Sequence, residues 1–212
     1  MTIAVIDYGM GNLRSVQRAL EHAGGRDVRV TDDPGVIRAA ERVVFPGQGA
    51  VRDCMSALHQ GALVDVIAEV VDTRPFLGIC MGMQALMTRS EENQGTAALD
   101  HFAGTVRHFA ALTAGDVAKK IPHMGWNRVE QTRDHPLWRG IEDGERFYFV
   151  HSYYVAPSDA AIVTGQSHYG GPFAAAIGRG NVFATQFHPE KSQQPGLRLL
   201  RNFIAWDGAA CS

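Results

Sequence analysis

The sequence predicts an α/β fold: a mainly parallel central sheet flanked by helices, with additional antiparallel or mixed strands in the second half. Two observations carry this. Up to about residue 95, short apolar strands alternate with helical segments, the pattern of βαβ units. Beyond it, strand-like segments follow one another across short turns.

TIAVID (2–7) reads as a buried strand and NLRSVQRALEHAG (12–24) as a helix ending in glycine. DVRVT, RVVFPG and PFLGI are further short strands rich in Val, Ile and Phe. Helical material, AVRDCMSALHQGALVDVIAEVVD (50–72), separates the last two. Such continuous apolar strands suit a sheet covered on both faces. In the second half GTVRHFA, NRVEQ, RFYFVHSYYVA, FAAAIG and NVFATQF read as strands, and GLRLLRNFIAW (196–206) as a closing helix. With no repeat, low-complexity stretch or linker, residues 1–212 are expected to form one domain.

Composition narrows the function. The chain has 45% hydrophobic and 20% charged residues and a formal net charge of -2, which fits a globular protein with a substantial core. No Lys/Arg run forms a basic stripe, so nucleic-acid binding is not expected. The apolar stretch of the N-terminus is too short for a signal peptide and is interrupted by Asp7, and no segment approaches the length of a membrane span. The three cysteines, Cys54, Cys80 and Cys211, lack CxxC spacing and are odd in number. Neither a disulfide framework nor a zinc site is indicated, and a cytoplasmic setting is expected.

Three stretches carry chemistry. In Gly78-Ile79-Cys80-Met81-Gly82 a cysteine ends a strand and opens a helix. This is the context of a nucleophile elbow, in which side chains two before and two after the nucleophile would collide. The helix N-terminus favours a thiolate, and the Met81 N–H is placed to receive an oxyanion. The plain alternative is a buried structural cysteine. Phe187-His188-Pro189-Glu190 supplies the base that a thiol nucleophile needs and a carboxylate to orient it. Two apart on an extended backbone, His188 and Glu190 point the same way; the plain alternative is a surface His near a surface Glu. The remaining histidines show no paired metal-ligand spacing, so no metal is expected. Pro46-Gly47-Gln48-Gly49, after RVVF, could deliver a second backbone N–H to an oxyanion, or be merely a strand-ending turn. Gly9-Met10-Gly11 hints at a dinucleotide fingerprint, but its third glycine would fall at Arg14, so no cofactor is expected.

Cys, His and Glu in this order, in GICMGMQ and QFHPEKS, resemble the class I (triad) glutamine amidotransferases. DYGMGNLRSV, FPGQGA, IPHMGWN and FVHSYYV are similar to the branch that forms the glutaminase subunit of imidazole glycerol phosphate synthase. The resemblance runs from Asp7 to about Ser192; Gln48 departs from it, standing where the family usually has an aliphatic residue. It implies that Cys80 attacks the side-chain amide of glutamine, that His188 serves as acid and base, and that Glu190 orients it. It implies oxyanion donors at Met81 and the Gln48–Gly49 turn. It also implies substrate contacts from Gln84, Glu92 and the backbone around His151, Ser152 and Tyr153. Gln84 as a plain helix residue and Glu92 as a solvated one are the alternatives.

Ammonia released at neutral pH is lost unless an acceptor captures it, and with glutamine hydrolysis filling the chain the acceptor chemistry is expected on another polypeptide. The resemblance implies a heterodimer with a (β/α)8 cyclase making imidazole glycerol phosphate and an aminoimidazole carboxamide ribotide. Tyr148 and Lys191 match positions near the ammonia exit, and Trp126 looks interfacial, unless these are ordinary surface residues. The rival readings are a glutaminase for another synthase, a non-catalytic regulatory subunit on the same fold, and a cysteine protease.

Overall fold

A computed structural model of the chain describes residues 1–113 and 119–209. Cys211 lies outside the described residues. The first half runs β1 (Thr2–Ile6), α1 (Leu13–His22), β2 (Asp27–Thr31), α2 (Pro34–Ala39), β3 (Arg42–Gly47), α3 (Val51–Gln60), α4 (Val64–Val71), β4 (Phe76–Cys80) and α5 (Met81–Ala85). Strands β2, β1, β3 and β4 lie side by side and parallel, as the βαβ alternation predicts. The helical stretch after β3 is two helices meeting at a bend of 100°. Among the described residues no single helix is long and apolar enough to cross a membrane.

Both faces of this sheet are covered. Ala4, Ile6, Val43, Phe45 and Phe76 point into one buried cluster, and their neighbours Ile3, Val5, Val44, Leu77 and Ile79 into another. The two-residue alternation of a strand divides each apolar run between the two cores. The helices supply matching apolar stripes: Val16, Ala19 and Leu20 of α1 pack on one face, and Cys54, Met55 and Leu58 of α3 on the other.

The second half is β5 (Met87–Ser90), β6 (Thr96–Ala97), β7 (Phe102–His108), α6 (Ala110–Thr113), β8 (His123–Gln131), β9 (Glu145–His151), β10 (Tyr153–Pro157), β11 (Val163–His168), β12 (Pro172–Arg179), β13 (Val182–Thr185) and α7 (Gln193–Ala205). Most pairs here are antiparallel. The stretch RFYFVHSYYVA, read as one segment, is two strands broken at Ser152: β9 pairs with β8, whereas β10 crosses to β7 and β12. Strand β13 lies parallel to β4 on one side and antiparallel to β12 on the other, joining the two halves. Its insertion matters for function. It brings the chain at His188 to the carboxyl end of β4, the end at which sites form in open α/β sheets.

Candidate active site

The register between β3 and β4 runs to Gly47 opposite Cys80, so both strands end at the same level. Cys80 turns sharply there, with φ 54 and ψ −101, and Met81 opens α5. A positive φ in a residue with a side chain is strained, and packing must hold it. Glycine makes that packing possible. A Cβ on Gly82 would sit 1.8 Å from the Phe45 carbonyl oxygen, and one on Gly78 3.1 Å from the Gly82 carbonyl carbon. The collision expected between the two flanking positions is therefore present, and the tighter constraint comes from the neighbouring strand. Gly82→Ala should destabilise the fold by about 3 kcal/mol or more, at the upper end for overpacking. Chemical denaturation would measure it; a change below about 0.5 kcal/mol would contradict the fit.

His188 and Glu190 meet: Nδ1 lies 2.8 Å from Oε1, with the two side chains 8% and 2% exposed. The contact spans the start of a short 3₁₀ turn, Pro189–Lys191, rather than a continuous strand. The His188 backbone is clamped, since its N–H donates to the Tyr148 carbonyl at 2.9 Å and its carbonyl accepts from Ser192 Oγ at 2.6 Å. Ser192 in turn accepts from Tyr148 N–H at 3.0 Å. Burial alone would push the imidazolium of His188 down, but its interactions with the Cys80 sulfur and then with Glu190 outweigh it, and the group is raised to about 10. His188 thus keeps its proton at neutral pH. Cys54, by contrast, is a buried thiol pushed up to about 12 by desolvation, inert as a nucleophile at neutral pH.

Cys80 and His188 open onto a cavity of about 770 Å³. Its wall also contains Gln48, Gly49, Met81, Gln84, Glu92, His151, Ser152, Tyr153 and Lys191. Residues far apart in sequence thus share one chamber, with Glu190 held behind His188. Gly9, Met10 and Gly11, which sequence reasoning set aside as a failed dinucleotide motif, form part of the same wall. Glu92 Oε2 accepts from Val51 N–H at 3.0 Å and so caps α3 as well as facing the cavity. Two backbone carbonyls already have internal partners: Ser152 O accepts from Phe109 N–H, and Tyr153 O from Gln84 Nε2. Tyr148 and Trp126 lie outside the chamber, their rings edge-on at 6.0 Å. Trp126 is 43% exposed and Met124, on the same face of β8, 61%. Among the described residues no group of three His, Cys, Asp or Glu side chains could hold a metal ion.

The arrangement suits acyl transfer from a small amide: an elbow-mounted thiol, an imidazole held by a carboxylate, and a strand-end turn facing them across a cavity. The sequence pattern of the family Glutamine amidotransferase class-I matches residues 4–206. The chain is a class I glutamine amidotransferase. The amidotransferase is 57% identical over 208 residues to imidazole glycerol phosphate synthase subunit HisH of Pseudomonas putida, covering 98% of each chain. It is 57% identical over 210 residues to the subunit of that name in Dechloromonas aromatica, covering 97% of this chain and 96% of the relative. The fold is shared with PurLQS from Thermotoga maritima, at a TM-score of 0.72 and 19% identity over 96% of this chain and 97% of that one, and with a solved glutamine amidotransferase, at 0.73 and 16% identity over 97% and 98%.

Sequence reasoning missed Gln186, His123, Asn127 and Ser192. Gln186, Ser192, His123 and Asn127 all lie inside the quoted motifs QFHPEKS and IPHMGWN, but nothing local to those stretches says what their side chains meet.

Proposed function

We propose that this chain is the glutaminase subunit of imidazole glycerol phosphate synthase, working in the cytoplasm as one domain in a heterodimer with a cyclase. The observation that carries this is the meeting, in one cavity, of the Cys80 elbow with the buried His188–Glu190 pair. The full-length relatives bear the name of that subunit.

Cys80 attacks the carboxamide carbon of glutamine, forming a tetrahedral oxyanion. Met81 N–H and the Gln48–Gly49 turn supply hydrogen bonds to it, and Gly49, at φ +92, gives the turn a conformation that few residues adopt. His188 protonates the leaving nitrogen, ammonia departs, and a glutamyl thioester remains. His188 then takes a proton from water, which adds to the thioester; collapse releases glutamate and returns the thiol. Glu190 fixes the tautomer and balances the imidazolium. Gln84, Glu92 and the backbone of His151, Ser152 and Tyr153 seat the substrate, with the Glu92 carboxylate suited to its α-ammonium. A regulatory subunit without catalysis would have no need of a strained cysteine. The test is glutamine hydrolysis with and without the cyclase and its ribonucleotide ligand. Hydrolysis that neither addition increases would overturn the partnership, and no hydrolysis under any condition would overturn the reaction.

Tyr148, Lys191 and Trp126 form the side facing the cyclase. Lys191 lines the cavity while Tyr148 lies just beyond it, so both flank a route out for ammonia. Tyr148→Ala and Lys191→Ala should leave glutamine hydrolysis in place yet raise the ratio of glutamate to imidazole product, several-fold where ammonia escapes. An unchanged ratio in both variants, with cyclase binding unchanged, would make them ordinary surface residues.

A further inference from the structure

Gln186 is fully buried beside Cys80, and the mechanism above gives it no task. Its Nε2 lies 3.7 Å from Cys80 Sγ and its Oε1 3.1 Å from Gln84 Nε2. The second contact fixes the first. Gln84 Nε2 can only donate, so the oxygen of Gln186 must face it and the NH₂ must face sulfur. Gln84 is held in turn, because its other N–H goes to the Tyr153 carbonyl at 3.1 Å.

That carbonyl begins a chain of hydrogen bonds whose protons can all be placed. His151 Nδ1 lies 2.7 Å from Tyr153 O, an acceptor only, so Nδ1 carries the proton. Burial pushes His151 down to about 3, leaving a neutral ring with a lone pair on Nε2. His123 Nδ1, 2.9 Å away, must therefore be the donor. Desolvation also keeps His123 neutral, pushed down to about 4, so its Nε2 accepts from Asn127 Nδ2 at 3.2 Å. Asn127 cannot flip without loss, since Nδ2 also donates to His168 O at 3.0 Å and Oδ1 accepts from Arg128 N–H at 2.9 Å. All the donors of the ring pair point inward, from the outer strand β8 to the wall of the cavity. Turning the Gln186 amide over would set NH₂ against NH₂ at Gln84 and a carbonyl oxygen against the sulfur. In a buried site both losses are costly.

We propose that Gln186 is a catalytic residue whose amide hydrogen-bonds the ionised sulfur of Cys80, and that Asn127, His123, His151 and Gln84 are positioning residues that hold this amide in its donating orientation. The inference rests on Cys80 being the nucleophile. A hydrogen bond to a charged acceptor is stronger than one to its neutral form, so the contact favours the reactive state. Other charged or titratable groups around the sulfur are His188 with Glu190 behind it, Glu92 and Lys191 on the cavity wall, and the Tyr8 phenol beneath. Gln186 does not titrate, so it remains a donor at every pH at which the sulfur ionises.

The test is the rate of Cys80 alkylation by iodoacetamide in the full chain, read by mass spectrometry of the peptide containing Cys80. Gln186→Leu and Gln186→Met each remove the donor to sulfur without adding charge or a new donor. At pH 7 both should react about tenfold more slowly than the parent, the size expected for one hydrogen bond to an ionised group. At pH 9.5, above the ordinary titration range of a thiol, the Gln186→Met and parental rates should converge, which a merely damaged fold would not produce. His123→Phe, which breaks the chain and keeps a ring, should slow the reaction at pH 7 by a smaller factor. Parental rates at pH 7 in both Gln186 variants, or a deficit in Gln186→Met that persists at pH 9.5, would overturn the role of Gln186. A parental rate in His123→Phe would overturn the chain. If parental Cys80 is no more reactive than in urea-unfolded protein, the nucleophile assignment itself fails; a reactive parent with unaffected variants removes Gln186 alone.

Discussion

Cys80→Ala should abolish glutamine-dependent product formation, by ~10⁴-fold or more, while synthesis from added ammonia by the assembled complex continues. The effect is this large because no other described thiol can substitute. Cys54 is buried and held protonated, and only Cys80 sits on the turn between β4 and α5 with its sulfur on the cavity. Removing Sγ leaves the strand pairing and the glycine contacts around it intact, so the fold should survive. Alanine at a positive φ is no more strained than cysteine. Two measurements separate the outcomes: glutamate formed per unit time, and imidazole product formed from ammonium salt with the cyclase present. Glutamate production near the parental rate would overturn the mechanism. Loss of the ammonia-dependent reaction as well would mean that the substitution had broken the partnership.

His188→Asn should cost nearly as much, because residues acting as one unit fail together; a loss of several orders of magnitude is expected. Asparagine can accept a hydrogen bond but cannot carry the proton from the thiol to the leaving nitrogen. Glu190→Gln should be milder, near the lower end of the ~10²–10⁴ contribution of general acid–base catalysis. The amide oxygen can still accept from His188 Nδ1 across the 2.8 Å gap. What is lost is the charge that helps to hold the imidazolium. The sign follows: Glu190 stabilises the protonated ring, so its removal must lower the titration midpoint of His188 from its raised position. Kinetics with glutamine and the ring-proton titration by NMR test the two halves. Equal damage from both substitutions would mean that Glu190 does more than orient and balance, and an unmoved midpoint would mean that it does not balance the charge at all.

The elements that local physics governs are legible in the residues alone. Unbroken apolar runs separated by helical segments specified parallel strands with two covered faces, and β1 to β4 have them. Gly78 and Gly82 marked the elbow because a turn of that sharpness leaves no space for a Cβ, and His188 found Glu190 because two residues are close enough for backbone geometry to align them. The break at Ser152 was hidden because the apolar pattern of RFYFVHSYYVA does not change where the strand changes partners. Strand order was beyond any local pattern as well. The insertion of β13 beside β4 is a choice among pairings that the same apolar residues would allow, and it sets His188 across from Cys80. Gln186 and Cys80 are 106 positions apart, and a glutamine in a motif looks the same whether it meets water, backbone or a sulfur. The histidines at 123 and 151 gave no signal for a related reason: their tautomers are fixed by each other and by the Tyr153 carbonyl, contacts that exist only once three strands have been brought together. Periodicity and turn chemistry are written over a few residues, whereas the direction of a buried hydrogen bond depends on which partner the whole fold delivers to it.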